Sequence, residues 1–240
     1  SDDSNGWYPF AKGGAFSEYY SDIYLLVNWG DAGEEIKAWA STLYNNSHWS
    51  RIIKNTNFYL RPGLTWSRRT EVLSFRMLPE RCIFADKGPG IFVEDDDEDK
   101  LLLLCGVLNT NIFRELVATR INAADNVARS FEVGIIQGTP LPNLSGNEVE
   151  VGNIVKRLAD ISVFFDSVDE TSHAFKKPIM VSDYDFELLK EEYRKSSSEL
   201  ERIICNGYGV QFSSGYTPNI PRLPVADRDL SFTSWCLGLL

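Results

Sequence analysis

The stretch LRPGLTWSRR, Leu60 to Arg69, gathers Arg61, Arg68 and Arg69 about a Pro62-Gly63 turn. A guanidinium fork can grip a phosphate or the O6/N7 edge of guanine. Thr65 and Ser67 add hydroxyls that suit base edges or phosphate. Trp66 stands between them as an exposed-looking aromatic. Arg76 follows, then a second cationic turn at Lys87-Gly88-Pro89-Gly90, while Lys12 sits near the start in AKGG. Arg61, Thr65, Trp66, Ser67, Arg68, Arg69, Arg76, Lys87 and Lys12 are therefore the candidate nucleic-acid contacts. The competing reading makes Trp66 and Phe75 core and leaves the arginines as solvated surface.

Catalytic chemistry finds little support in the residues. The chain has no GxGxxG and no GxxxxGK[ST] phosphate loop. It has two histidines, His48 and His173, neither beside a serine or cysteine with elbow-like surroundings. His48, in NNSHWS, reads as a surface or cap histidine. The acidic run Glu94 to Asp99 lacks the alternating ligand spacing and glycine of a calcium loop, so it reads as a solvated loop. Cys82, Cys105, Cys205 and Cys236 form no CxxC pair and sit among apolar residues. A zinc site is not expected, and buried free thiols are. No catalytic residue and no metal ligand is assigned.

These side chains need a scaffold. Tyr19 to Trp29 reads as a strand. Ile36, Trp39, Ala40 and Leu43 fall at helical spacing in Glu34 to Leu43. From Asn57 the pattern is one of short strands with turns: NFYL, LTWS, VLSFRML, RCIFA and IFV. Leu101 to Ile121 reads as helical, and Val133 to Leu144 as a strand ending in a proline-fixed extended segment. Glu148 to Val168 is an amphipathic helix with a stripe of Val151, Ile154, Val155, Leu158, Ile161 and Phe165. Asp183 to Cys205 is a second long helix, capped by Ser182 or Asp183. The expected fold class is α+β: a twisted mixed or antiparallel sheet with flanking helices, then two long helices and an extended C-terminal arm. The expected units are a sheet-bearing domain over 1–146, a helical spacer or docking segment over 147–207, and an extended linker over 208–240.

The formal net charge of the 240 residues is -10, which taken whole argues against a free-standing DNA-binding domain. Its distribution matters more. Between Arg51 and Val93 eight cations face three acids, a local balance of +5, and the acidic run then reverses the sign. No apolar run approaches the roughly 20 residues of a membrane span, so no membrane is expected as a partner and a cytoplasmic location is. The abrupt ends, SDDSNGWYPF and SFTSWCLGLL, suggest a piece of a larger protein.

Several phrases, in order, carry a resemblance: GWYPFAKGGAFSEYYSDIYLLVNWGDAGEEIK, NFYLRPGLTWSRRT, SFRMLPERCIFADKGPGIFV, LLLLCGVLNTNIFRELV, FEVGIIQGTPLPNL and LSFTSWCLGLL. Together they resemble the target-recognition region of large adenine-specific DNA methyltransferases of the PglX type, from BREX phage-defence systems. GIIQGTPLPNL followed by VEVGNIVKRLADI is also similar to recognition domains of type I restriction specificity subunits, and type IIG enzymes are related. The family's glycine-rich S-adenosylmethionine motif and its Asn-Pro-Pro-Tyr motif are both missing from this sequence.

The resemblance implies a non-catalytic recognition fragment that reads a short asymmetric site in duplex DNA. S-adenosylmethionine would be the cofactor of the full-length enzyme only. The implied partners are duplex DNA, the catalytic domain of the same polypeptide, other defence-system subunits and phage proteins that mimic DNA. The alternative is a protein-interaction module docking onto another defence subunit through the two long helices.

Overall fold

A computed structural model describes residues 6–121, 130–213, 215–223, 233 and 235–238. The architecture is α+β, as expected, with two three-stranded sheets among the described residues. In the first sheet β1 (Trp7–Ala11) is central. It runs antiparallel to β2 (Leu26–Asn28), with Trp7 opposite Asn28, and parallel to β5 (Ile83–Phe84), with Phe10 opposite Ile83. In the second, β3 (Gly63–Trp66) lies between β4 (Phe75–Leu78) and β6 (Gly90–Ile91), antiparallel to both. The LTWS and SFRML segments thus pair as a hairpin with Trp66 opposite Phe75.

The helical half is built on the apolar stripe read from the sequence. In α5 (Glu148–Asp166), Val151, Val155, Leu158, Ile161 and Phe165 are all buried. They face α2 (Glu98–Leu108) and α6 (Phe186–Gly207). Gly106 permits the close approach of α2 to α5: a Cβ there would lie 2.7 Å from Val155 Cγ2. One apolar cluster runs from Leu64, Trp66 and Phe75 on the second sheet through Phe113 to Leu158, Leu200 and Ile204 on the helices. Burying one such aliphatic side chain contributes about 1.5–3 kcal/mol.

Four local expectations are corrected. Of Tyr19 to Trp29 only Leu26–Asn28 is strand. Tyr19 instead takes a left-handed φ of 65° and bonds β4: its N–H donates to Phe75 O at 2.9 Å, and Met77 N–H donates to Tyr19 O at 2.9 Å. NFYL is a tight helical turn over Thr56–Phe58, entered through left-handed Asn55. Val133 to Leu144 begins as a short helix, α4 (Val133–Gln137), which turns Ile136 into the core. The start of α6 is capped by Asp185 rather than Ser182 or Asp183. Asp185 accepts from Glu187 N–H and Leu188 N–H at 3.1 and 3.0 Å, whereas Asp183 pairs with Lys177.

The helical stretch 101–121 is two helices, α2 and α3 (Asn111–Arg120), bent by 71° at Asn109-Thr110. Asn109 turns its amide onto β4, accepting from Phe75 N–H at 2.8 Å and donating to Phe75 O at 2.7 Å. Thr110 then caps α3. Among the described residues no single helix is long and apolar enough to cross a membrane. The earlier helix, α1 (Gly30–Thr42), starts with a left-handed turn at Asp31–Gly33 and leaves Trp39 exposed. Of the expected C-terminal arm, 208–213 and 215–223 have no regular secondary structure, residues 233 and 235–238 are helical, and the rest lies outside the described residues.

Candidate functional site

Three loops meet at one end of the two sheets. The first is Lys12-Gly13-Gly14, after β1. The second is Ser67-Arg68-Arg69, after β3. The third is Asp86-Lys87-Gly88, after β5. Arg68 N–H donates to Lys87 O at 3.0 Å, Ala85 N–H to Ala11 O at 3.0 Å, and Ser67 Oγ to Gly14 O at 2.8 Å. Glycine is required where they touch: a Cβ on Gly88 would lie 2.5 Å from Gly13 N, and Gly13 itself has a φ of 88°. Lys12, Arg68, Arg69 and Lys87 are therefore gathered from three separate parts of the sequence.

The nine candidate residues divide by burial. Lys12, Arg69 and Lys87 are exposed, and their side chains have no partner among the described residues. Arg68 is partly exposed; its Nη1 lies 2.7 Å from both oxygens of Asp86, and Glu132 Oε1 is 3.5 Å from Nε. That last contact is within ion-pair range but off hydrogen-bonding geometry, so Nε itself has no hydrogen-bond partner.

The remaining candidates are turned inward or engaged elsewhere. Trp66 is in the core, with Nε1 donating to Phe131 O at 2.9 Å, so the exposed reading of this residue is corrected. Thr65 and Ser67 are buried on and just after β3. Arg76 is buried beneath the loops. It donates to Ala15 O at 3.1 Å and to Ser67 Oγ at 3.3 Å, and burial lowers its pKa from the ordinary guanidinium value. Arg61 is drawn aside: Nε donates to Asp96 at 2.8 Å and Nη2 to Val93 O at 2.9 Å, over the rings of Phe58 and Phe92. The buried members brace the loops, and the exposed ones hold the charge.

The arrangement presents cations on short, hydrogen-bonded turns above a cleft of about 470 Å³. Lys54 lines the same cleft as Lys12, Arg68 and Lys87 and was not among the candidates. Its signal in the sequence was its place in the +5 block, with no motif to single it out. His48 accepts from Ser50 N–H at 3.3 Å, a cap on a short helical turn, as expected of it. The acidic run is partly structural: Asp97 caps α2 and Asp96 holds Arg61. Among the described residues no group of three or more His, Cys, Asp and Glu side chains is placed to hold a metal ion. The four cysteines are free thiols, with Cys82, Cys105 and Cys205 buried.

No family model matches the sequence. Over 143 residues, 56% of this chain, it is 29% identical to the adenine-specific methyltransferase PglX of Lacticaseibacillus casei (strain Zhang). Over 175 residues, 71% of this chain, it is 25% identical to the adenine-specific methyltransferase BrxX of Escherichia coli O9:H4 (strain HS). These matches span 11% and 13% of the two relatives, so the matched part of the chain corresponds to about an eighth of their length. Part of the chain is thus related to a region of adenine-specific methyltransferases.

Proposed function

We propose that this chain is a duplex-DNA recognition segment of an adenine-specific DNA methyltransferase acting in BREX-type phage defence. The observation that carries the reading is the convergence of Lys12, Arg68, Arg69 and Lys87 on one face of an acidic chain whose relatives are adenine-specific methyltransferases. Exposed lysines on short turns suit phosphate contacts, which fix register on the duplex. Arg69, on the loop between β3 and β4, is the best placed to read a base edge. Arg68 joins it if the duplex draws it from Asp86, an exposed carboxylate whose pairing contributes little. On this reading Thr65, Trp66, Ser67 and Arg76 shape the face from beneath, and Arg61 anchors the acidic turn. Transfer of the methyl group from S-adenosylmethionine belongs to the full-length protein, and the catalytic domain of the same polypeptide completes the grip on DNA.

A titration of the chain with a random duplex pool at low and physiological salt tests this. Enrichment of one sequence with a steep fall in affinity as salt rises supports it. If the Arg69→Glu and Lys87→Glu variants bind DNA as well as the unaltered chain, the assignment of this face is wrong.

A protein-docking role is favoured by a different observation. Trp7, Tyr24, Leu25 and Leu26, on and beside the β1–β2 pair, are exposed. Such a patch suits another domain of the same polypeptide or a second defence subunit, whereas an acidic phage DNA mimic would seek the cationic loops. Retention of a partner by the loop-face variants, with loss on Trp7→Ser and Leu26→Ser, would favour that role.

A further inference from the structure

A small cavity of about 30 Å³ lies at the seam of the two sheets. Phe10, Ala11 and Lys12, at the end of β1, line one side of it. Thr65 of β3 and Arg76 of β4, paired opposite each other, line another. Both polar side chains are left short of partners. Thr65 is 2% exposed, and its Oγ1 has no hydrogen-bond partner among the described residues. Arg76 is 3% exposed and bonds only neutral groups, Ala15 O and Ser67 Oγ. No carboxylate lies within ion-pair range of it among the described residues, and burial is the one influence that shifts its pKa. Arg61, Arg68, Arg114 and Arg157 are each less deeply buried, and each meets an acid. Asp22 also borders the cavity, but both of its oxygens bond His173.

A buried guanidinium without a counter-charge is costly, and native chains pair such charges. A buried hydroxyl without a partner carries a desolvation cost of its own. A water would satisfy the hydroxyl and leave the guanidinium uncompensated. An anion does both, accepting from the Thr65 O–H and offsetting Arg76. A cavity of this size takes one or two water-sized guests, which suits a halide rather than a phosphate group.

We propose that this cavity binds one chloride ion between the Arg76 guanidinium and the Thr65 hydroxyl, as the counter-ion of a charge buried at the seam of the two sheets. The ion ties the strand that enters the Lys12 loop to the strand that enters the Arg68 loop. The site stands whether or not those loops hold DNA.

Thermal melts of the full chain test this, with sodium gluconate exchanged stepwise for sodium chloride at constant ionic strength. Gluconate is too bulky for the cavity. Chloride should raise the midpoint by about 3–5 °C for each tenfold rise above the dissociation constant. Thr65→Val keeps the shape of the side chain and should need at least about tenfold more chloride for the same rise. In gluconate that variant should melt as high as the unaltered chain or higher, because the orphaned hydroxyl is gone. The two curves should therefore cross as chloride is added, a pattern that a purely structural threonine does not give. Arg76→Met should abolish the chloride dependence; if it does not fold, the Thr65→Val comparison decides alone. In crystals grown with sodium bromide, an anomalous peak within hydrogen-bonding reach of both side chains supports the site. A midpoint indifferent to chloride overturns the proposal, whatever the crystal shows. A chloride dependence equal in every folded variant marks a general salt effect and overturns it as well. A solvent peak in the cavity without anomalous signal is a water, and it too overturns the site.

Discussion

At the loop face Lys12, Arg69 and Lys87 hold their charges in solvent, and Arg68 shares its own with an exposed carboxylate. In the helical half Arg114 lies at 13% side-chain exposure against Glu18 at 5%. Arg114 also donates to Leu73 O and Asn111 Oδ1, while Tyr193 Oη donates to the other oxygen of Glu18. Glu201, buried on α6, accepts from the first N–H groups of α3, at Asn111 and Ile112. The same residue types serve opposite ends. Where charges are desolvated and fully bonded they join the N-terminal segment, α3 and α6. Where they are left hydrated they are available to a ligand.

That contrast can be broken in order of size. Arg114→Ala should be the most damaging change, because it strands the buried Glu18 carboxylate. About 3–5 kcal/mol of stability should go, read by urea denaturation, and a loss under 1 kcal/mol would mean that the network is not structural. Asn109→Ala should follow, at about 1–3 kcal/mol for the buried Phe75 N–H left unbonded, since Phe75 O keeps the Tyr19 N–H.

Arg69→Glu should invert the pattern. Its unfolding free energy from urea titration should stay within about 0.5 kcal/mol of the unaltered chain, while duplex affinity falls by about 1–3 kcal/mol if it reads a base. A large stability loss would place Arg69 with the structural arginines.

The fourth test is a pH profile. Burial raises the Glu201 pKa above its ordinary value, with hydrogen bonds from Asn111 and Ile112 opposing. The folded state therefore holds that proton more tightly than the unfolded chain. Its contribution is fully present below the unfolded value near the ordinary 4.5 and is lost as pH rises through the folded value. The stability of the unaltered chain relative to Glu201→Gln should fall across that interval, followed by thermal melts at stepped pH; a rise would mean that the backbone hydrogen bonds outweigh burial. Asp86→Asn should be smallest, within about 1 kcal/mol.

Much of the helical half was legible because its signal is local. The stripe on α5 predicts its buried face, and the short runs LTWS and VLSFRML, read as neighbouring strands, anticipate the hairpin. The loop face was legible only in part. Which of nine candidates reach solvent depends on partners far away in sequence: Trp66 is held by Phe131 O, Arg76 by Ala15 O, Arg61 by Asp96. The short apolar run of α4 has no periodicity long enough to tell helix from strand. Lys54 carries no motif at all, and only the folded chain puts it beside Lys87.

The grip of Asn109 and Tyr19 on β4 has one more consequence. β4 is the outer strand of its sheet, and such a strand offers unpaired amides to any other extended chain. Here Asn109 takes both backbone groups of Phe75, while Tyr19 bonds Phe75 O and Met77 N–H. The rim is closed from within by a side chain and a single left-handed residue. Crowded copies of this protein are thereby denied a template for edge-to-edge aggregation along β4.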